Sequence, residues 1–261
     1  MDKLSVCGIE KYLKNKEKFD ISVFESVDST NAILKNSAQN GEKEGTIIIA
    51  DSQTNGRGRF VRKFHSPSGS GIYMSILLKP DLPAENAVLI TAAAAAAVSR
   101  AVENLSQKNT HIKWVNDILI DNKKICGILT EGGINTKTGG FDWVVVGIGI
   151  NAYEPDGGFE DEISHIAGAV FKEKTPDLRN RLTAEIINCF WDFYKHLEQR
   201  TFFNDYKNRM MVIGKEITVI KGGTKTFAKC LDLDSNCQLL VDYGESREYL
   251  SSGEISIKLN G

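Results

Sequence analysis

The chain has 261 residues, of which 41% are hydrophobic and 25% charged, and its formal net charge is −2 at pH 7. That length can bury the core of one large domain, or of one domain with a small companion. The slightly acidic balance argues against a broad nucleic-acid-reading face, and no unbroken apolar run is long enough to cross a bilayer.

The N-terminal stretch MDKLSVCGIEKYLKNKEKFD lacks the pattern of a secretory signal. Cys7, Cys126, Cys189, Cys230 and Cys237 form an odd set without a C-x-x-C pair. They are read as reduced thiols in a cytoplasmic protein, and no zinc-ligand spacing is visible.

In chain order, ISVFESV reads as a strand. Asp28 or Ser29 then caps a helix through about Gln39, ended by Asn40-Gly41. GTIIIAD is a β-branched strand, placed centrally, and GIYMSILLKP is another, closed by Pro80. Ala84 to about Gln107 is strongly helical; its alanine run combines high helix propensity with side chains small enough for close packing. HIKWVNDILIDNKKICGILTEGG reads as two strands about an Asp121-Asn122 turn. DWVVVGIGIN reads as a strand buried on both faces. A helix over 177–200 carries Leu182, Ile186, Ile187, Phe190, Phe193, Tyr194 and Leu197 at core-facing spacing. After about Met211 short strands separated by Gly, Asn and Asp turns read as a small β-barrel.

Three clusters carry chemistry. The stretch DSQTNGRGRFVRKFHSPSGSG, over 51–71, crowds Arg57, Arg59, Arg62 and Lys63 among glycines, with few apolar residues and no period. A loop this long in a compact domain is usually functional. Glycines let backbone N–H groups turn toward a ligand, and arginines fork onto carboxylate or phosphate oxygens. Such a loop is expected to be mobile alone and to close on an anion. KWVND, over 113–117, ends one strand and starts another and puts a cation, an aromatic, an amide and a carboxylate within five positions, and Lys124 and Gly127 follow in KKICGIL. Ser29, Thr30 and Asn31 open a predicted helix, where a cap and a polar binding end share the same residues.

Taken together and in chain order, STN, Gln53, GRGRF, KWVND, KKICGIL, GIGIN and the late GEIS resemble the signature of the biotin–protein ligases, over about Phe24 to Ile257. The resemblance implies an α+β fold: a mixed-sheet catalytic domain of the biotin/lipoate ligase type over 1–211, then an SH3-like β-barrel over 212–261. It implies activation of biotin with MgATP to biotinyl-5′-AMP, and transfer of biotin to one lysine of a biotin carboxyl carrier protein. Under it Ser29, Thr30, Asn31 and Gln53 meet the biotin ureido head, and Arg57, Gly58, Arg59, Lys124 and Gly127 lie along the biotin chain and the acyl phosphate. Arg59, Arg62, Lys63, Phe64, Lys113, Asn116 and Asn151 serve the nucleotide, with Mg2+ carried mainly by the phosphates near Asn151. Arg57, Arg59 and Lys124 stabilise the reacting charge; Asp117 either orients the incoming lysine, with or without accepting its proton, or only fixes the KWVND turn.

Val115 stands where the family pattern has proline, which removes no functional group. The stretch before Ser29 is shorter than a winged helix-turn-helix, so no operator binding is expected. A sheet edge could dock the carrier or a second copy of the chain. Two alternatives share the scaffold: a lipoate/octanoate ligase, against which the GRGR loop speaks, and a biotin-sensing regulator.

Overall fold

The computed structural model describes residues 2–221, 223–251 and 254–257. Among them the first sheet has seven strands: β1 (Asp20–Phe24), β2 (Thr46–Ala50), β3 (Gly71–Leu78), β4 (His111–Lys113), β5 (Asp117–Ile120), β6 (Lys123–Ile134) and β7 (Phe141–Asn151). Their order is β1-β2-β3-β7-β6-β5-β4; β1 and β2 run parallel and the other pairs antiparallel. The long β3, β7 and β6 form the middle. β2 is fully buried but stands second from the edge rather than at the centre. KWVND ends β4 and starts β5, as read from the sequence, so the stretch described as two strands about Asp121-Asn122 holds three.

Helices cover both faces. α1 (Val6–Glu10) is a short element with no sequence signal beyond its Ser5 cap, whose Oγ accepts from the Gly8 amide. α2 (Thr30–Gln39) lays Leu34 and Ala38 on Ile48, Leu77 and Val145. α3 (Ala87–Ser106), preceded by a tight 3-10 turn over Ala84–Asn86, packs on the other face beside α5 (Leu178–Lys195). Ala92 to Ala97 are wholly buried. Methyl side chains let the α3 backbone approach its neighbours, and that explains the alanine run. By length and composition α3 could span a membrane; here its middle is a core helix. α5 ends at Lys195, short of the predicted 200. Two small helices complete the set, α4 (Asp161–Ser164) and α6 (Phe203–Asn208).

The C-terminal strands β8 (Glu216–Lys221), β9 (Thr224–Leu233), β10 (Leu239–Asp242), β11 (Arg247–Leu250) and β12 (Glu254–Ile257) form an antiparallel sheet in the order β11-β10-β9-β8-β12. Its inward residues include Ile217, Val219, Leu239, Val241 and Ile255. The Trp114 indole N–H ties it to the first sheet by donating to the Cys237 carbonyl at 3.0 Å, and the Ile112–Met210 bridge holds the segment that leads into β8. Gly253 of the late GEIS stretch lies outside the described residues. All five cysteines are free.

Candidate active site

The polar end of the site is the first turn of α2. Ser29 caps the helix, its Oγ accepting from the Ala32 amide at 3.4 Å. Gln53 Oε1 accepts from the Thr30 amide and hydroxyl at 2.9 and 3.2 Å, and Gln53 Nε2 donates to Ser66 Oγ at 3.1 Å. Beneath them Ser75 Oγ of β3 lies 2.8 Å from Thr30 Oγ1 and 2.6 Å from Asn31 Oδ1. Asn31 Nδ2 donates to the Leu129 carbonyl and to Glu131 Oε2, whose other oxygen receives Lys35 Nζ at 2.6 Å. Burial by itself would raise the Glu131 carboxyl; hydrogen bonds from Lys35 and Asn31 and the charges of Lys35 and Arg57 hold it below the usual range.

The floor is made of glycines. Gly147 and Gly149 share one face of β7 and pair with Leu129 and Gly127 of β6. A Cβ at Gly147 would overlap the Asn31 amide; one at Gly149 would come within 2.6 Å of the Phe64 ring. The strand expected to be buried on both faces therefore turns its glycines to an open site, because two side chains from other elements occupy the space.

The basic stretch is more ordered in its local pairing than a structureless loop. Arg57 and Lys63 form a bridge, the Gly58 amide donates to the Arg62 carbonyl at 2.7 Å, and the Phe64 amide to the Gly56 carbonyl at 2.9 Å. A 3-10 turn over Arg59–Val61 makes the tip, with Phe60 in the left-handed region at φ 55° and the Arg59 guanidinium 4.9 Å from its ring centre. The base is anchored by Arg179 of α5, which is 4% exposed and reaches Asp51 Oδ1 at 2.6 Å and the Gly71 carbonyl at 3.0 Å. Asp51 also accepts from the Ser68 hydroxyl and the Gly69 amide. Burial opposes its ionisation, but the Ser68 and Arg179 hydrogen bonds outweigh that and keep its carboxyl low.

On the opposite wall, Arg59 Nη1 donates to Asn116 Oδ1 at 3.0 Å, and Asn116 Nδ2 to the Ile128 carbonyl at 2.9 Å. The KWVND turn thus holds the tip of the basic hairpin. The Trp114–Val115 peptide is cis. Lys124 Nζ pairs with Asp117 Oδ1 at 2.7 Å. Asp117, expected to face an incoming lysine, is thus engaged by a lysine of its own chain. Asn151 Nδ2 donates to the Gly168 carbonyl at 3.1 Å.

These elements enclose a cavity of about 350 Å3, within the range of small-molecule sites. Every residue named from the sequence lines it. Ser29, Thr30, Asn31 and Gln53 form one end; Arg57, Gly58, Arg59, Lys124 and Gly127 the middle; and Arg62, Lys63, Phe64, Lys113, Asn116, Asp117 and Asn151 the rest. Sequence reasoning missed the apolar wall of Met74, Ile128 and Ile148, and Tyr73 beside Phe64. It also missed Phe159, Ile163, Ile166 and Ala167, and Ile255 from the C-terminal sheet. His65 Nδ1, 3.0 Å from Glu160 Oε1, links the hairpin to the 159–167 segment. A glycine alternation in an apolar strand signals a close approach and would have pointed to Gly147; the 159–167 segment carries no comparable mark. Among the described residues no three His, Cys, Asp or Glu side chains gather as a metal site.

Residues 23–151 match the Biotin/lipoate A/B protein ligase family, and residues 212–258 the Biotin protein ligase C terminal domain. The bifunctional ligase/repressor BirA of Bacillus subtilis is 32% identical over 98% of this chain and 79% of its own length. The biotin–[acetyl-CoA-carboxylase] ligase of Mycobacterium tuberculosis is 28% identical, over 90% of this chain and 88% of its own. Among solved structures, the biotin protein ligase of Aquifex aeolicus in complex with biotin and ATP aligns with a TM-score of 0.75 at 26% identity, covering 92% of this chain and 98% of that one. The order of the clusters in the sequence, the sheet that gathers them around one cavity and these likenesses agree: the chain belongs to the biotin protein ligases of the biotin/lipoate A/B protein ligase family.

Proposed function

We propose that this chain activates biotin with ATP and attaches it to a lysine of a biotin carboxyl carrier protein, with residues 1–211 as the catalytic domain and 212–261 as a C-terminal companion. The observation that carries the reading is the polarity gradient of the cavity: hydroxyl and amide groups at the α2 end, an apolar wall, then a concentration of cations. That sequence of surfaces suits a neutral ureido head, an alkyl chain and a carboxylate meeting a polyphosphate.

In the first step a biotin carboxylate oxygen attacks the α-phosphorus of ATP, and the bond to pyrophosphate breaks. Two anions must meet, so the barrier is largely electrostatic. Arg57, Arg59 and Lys124 supply fixed positive charge where negative charge builds; losing one such donor typically costs about 100- to 1,000-fold in rate. The residues near Asn151 fit a Mg2+ ion held chiefly by ATP oxygens. Asn151 keeps its amide oxygen as a remaining acceptor, while Asp117 is neutralised by Lys124. When bound, the ion neutralises phosphate charge.

In the second step the carrier amine attacks the acyl carbonyl, AMP leaves, an amide forms and the amine loses a proton. The Lys124–Asp117 pair couples the steps. When Lys124 turns from Asp117 to the reacting α-phosphate, Asp117 loses its partner and is released to orient the carrier ammonium in the second step. The hairpin over 56–64 keeps water from the mixed anhydride.

The test is ATP-dependent transfer of labelled biotin to a purified carrier domain. Label on the carrier lysine, dependent on ATP, is expected; folded protein that transfers lipoate in place of biotin, or transfers nothing, contradicts the reading.

A further inference from the structure

Every N–H of the Asn31 side chain is spent inside the protein. Nδ2 donates to the Leu129 carbonyl at 3.3 Å and to Glu131 Oε2 at 2.9 Å, and Oδ1 lies 2.6 Å from Ser75 Oγ. The residue is 5% exposed. Glu131 does not line the cavity, yet each of its oxygens has an assigned partner, Asn31 on one and Lys35 on the other. Gly147 leaves the room that this arrangement needs.

We infer that Asn31 is not a ligand contact but the pin that fixes the first turn of α2, and that Glu131, with Lys35 behind it, is the positioning residue that sets the pin. The inference deepens the biotin reading of the site and rests on it. Thr30 and Ser29 present the polar end of the cavity from the same turn, so their placement follows that of Asn31. A carboxylate can satisfy both donors; an amide has one oxygen. In Glu131→Gln, Lys35 and Asn31 compete for that oxygen. The ammonium wins, because a charged donor makes the stronger hydrogen bond. The amide NH2 then faces Asn31 Nδ2, donor against donor, and the α2 turn shifts. Adding Lys35→Met removes the competitor and lets the glutamine oxygen return to Asn31.

The experiment is steady-state transfer of biotin to a carrier domain, with thermal unfolding followed in parallel. Glu131→Gln is expected to raise the KM for biotin about tenfold while the KM for ATP stays within about twofold, and Glu131→Gln with Lys35→Met to bring the biotin KM back to within about threefold of wild type. A residue that only supports the fold would lower stability and move both KM values together. That result, or a double variant that recovers nothing, overturns the inference. If Glu131→Gln does not fold, the double variant decides: a biotin KM near wild type supports the inference and a tenfold rise overturns it. A wild-type chain that transfers no biotin defeats the ligase reading and the inference with it; active wild type without the KM split defeats the inference alone.

Discussion

Gly147 and Gly149 occupy alternate positions on one face of β7, and each stands where a methyl group would collide with a side chain from another element. The two collisions differ. Asn31 is buried and hydrogen-bonded on three sides, so it has nowhere to go. Phe64 lines the cavity and its ring can swing. Gly147→Ala is therefore expected to destabilise the protein by about 1–3 kcal/mol, the usual cost of overpacking, and to weaken biotin binding. Denaturant unfolding and a biotin titration check this, and a variant with wild-type stability would contradict it. At this scale the sequence was legible where a chemical group announces itself: the arginines of GRGR, the hydroxyls of STN, the lysine of KKICGIL. Glu131 and Tyr73 were not legible, because a lone carboxylate in a strand and an aromatic in an apolar strand read the same whether or not a site lies beside them.

Elements are held by a few strong polar ties. Glu103 of α3 receives Arg209 through both oxygens, at 3.0 and 2.6 Å, and also the amide and hydroxyl of Thr110. It fastens the end of α3 to the approach to β4 and to the segment entering β8. Burial alone would raise the Glu103 carboxyl, but the Arg209 and Thr110 hydrogen bonds pull it from 4.5 to about 2. Because the folded value lies below the unfolded one, this tie contributes its full stability above about pH 4.5. The contribution fades as the pH falls toward about 2. Glu103→Gln should cost about 1–2 kcal/mol at neutral pH, and the gap from wild type should narrow as the pH approaches 2. Urea midpoints at pH 7 and pH 2.5 test this; a gap that does not change with pH would contradict it. The α3 and α5 helices were readable from periodicity and propensity, which are local. That KWVND ends one strand and starts another was readable too, but what holds that turn was not. It depends on Asn116 reaching the Ile128 carbonyl and on Trp114 reaching Cys237, partners that lie 12 and 123 residues away.

The whole molecule places its site at a seam. The mixed sheet supplies the floor, α2 one end, the basic hairpin and the 159–167 segment the mouth, and Ile255 of the C-terminal sheet a further edge. Trp114 joins the two sheets, while two residues on Asn116 holds Arg59, so the C-terminal sheet and the hairpin tip bear on the same turn. The small C-terminal β part was legible because patterning and turn residues change near Met211, whereas the mixed-sheet fold class followed only from the family resemblance of the motifs. The meeting of Ile255, Phe159 and Ile166 over one cavity was not, since it follows from tertiary packing alone.

The central claim is that the cationic middle of the cavity drives a carboxylate onto the α-phosphate of ATP. Biotin-dependent exchange of labelled pyrophosphate into ATP reads that step without a carrier protein. The expected result is exchange that requires biotin and falls about 100-fold or more in Lys124→Ala. Exchange that proceeds equally without biotin, or that is unchanged when Lys124 is removed from folded protein, would contradict the account.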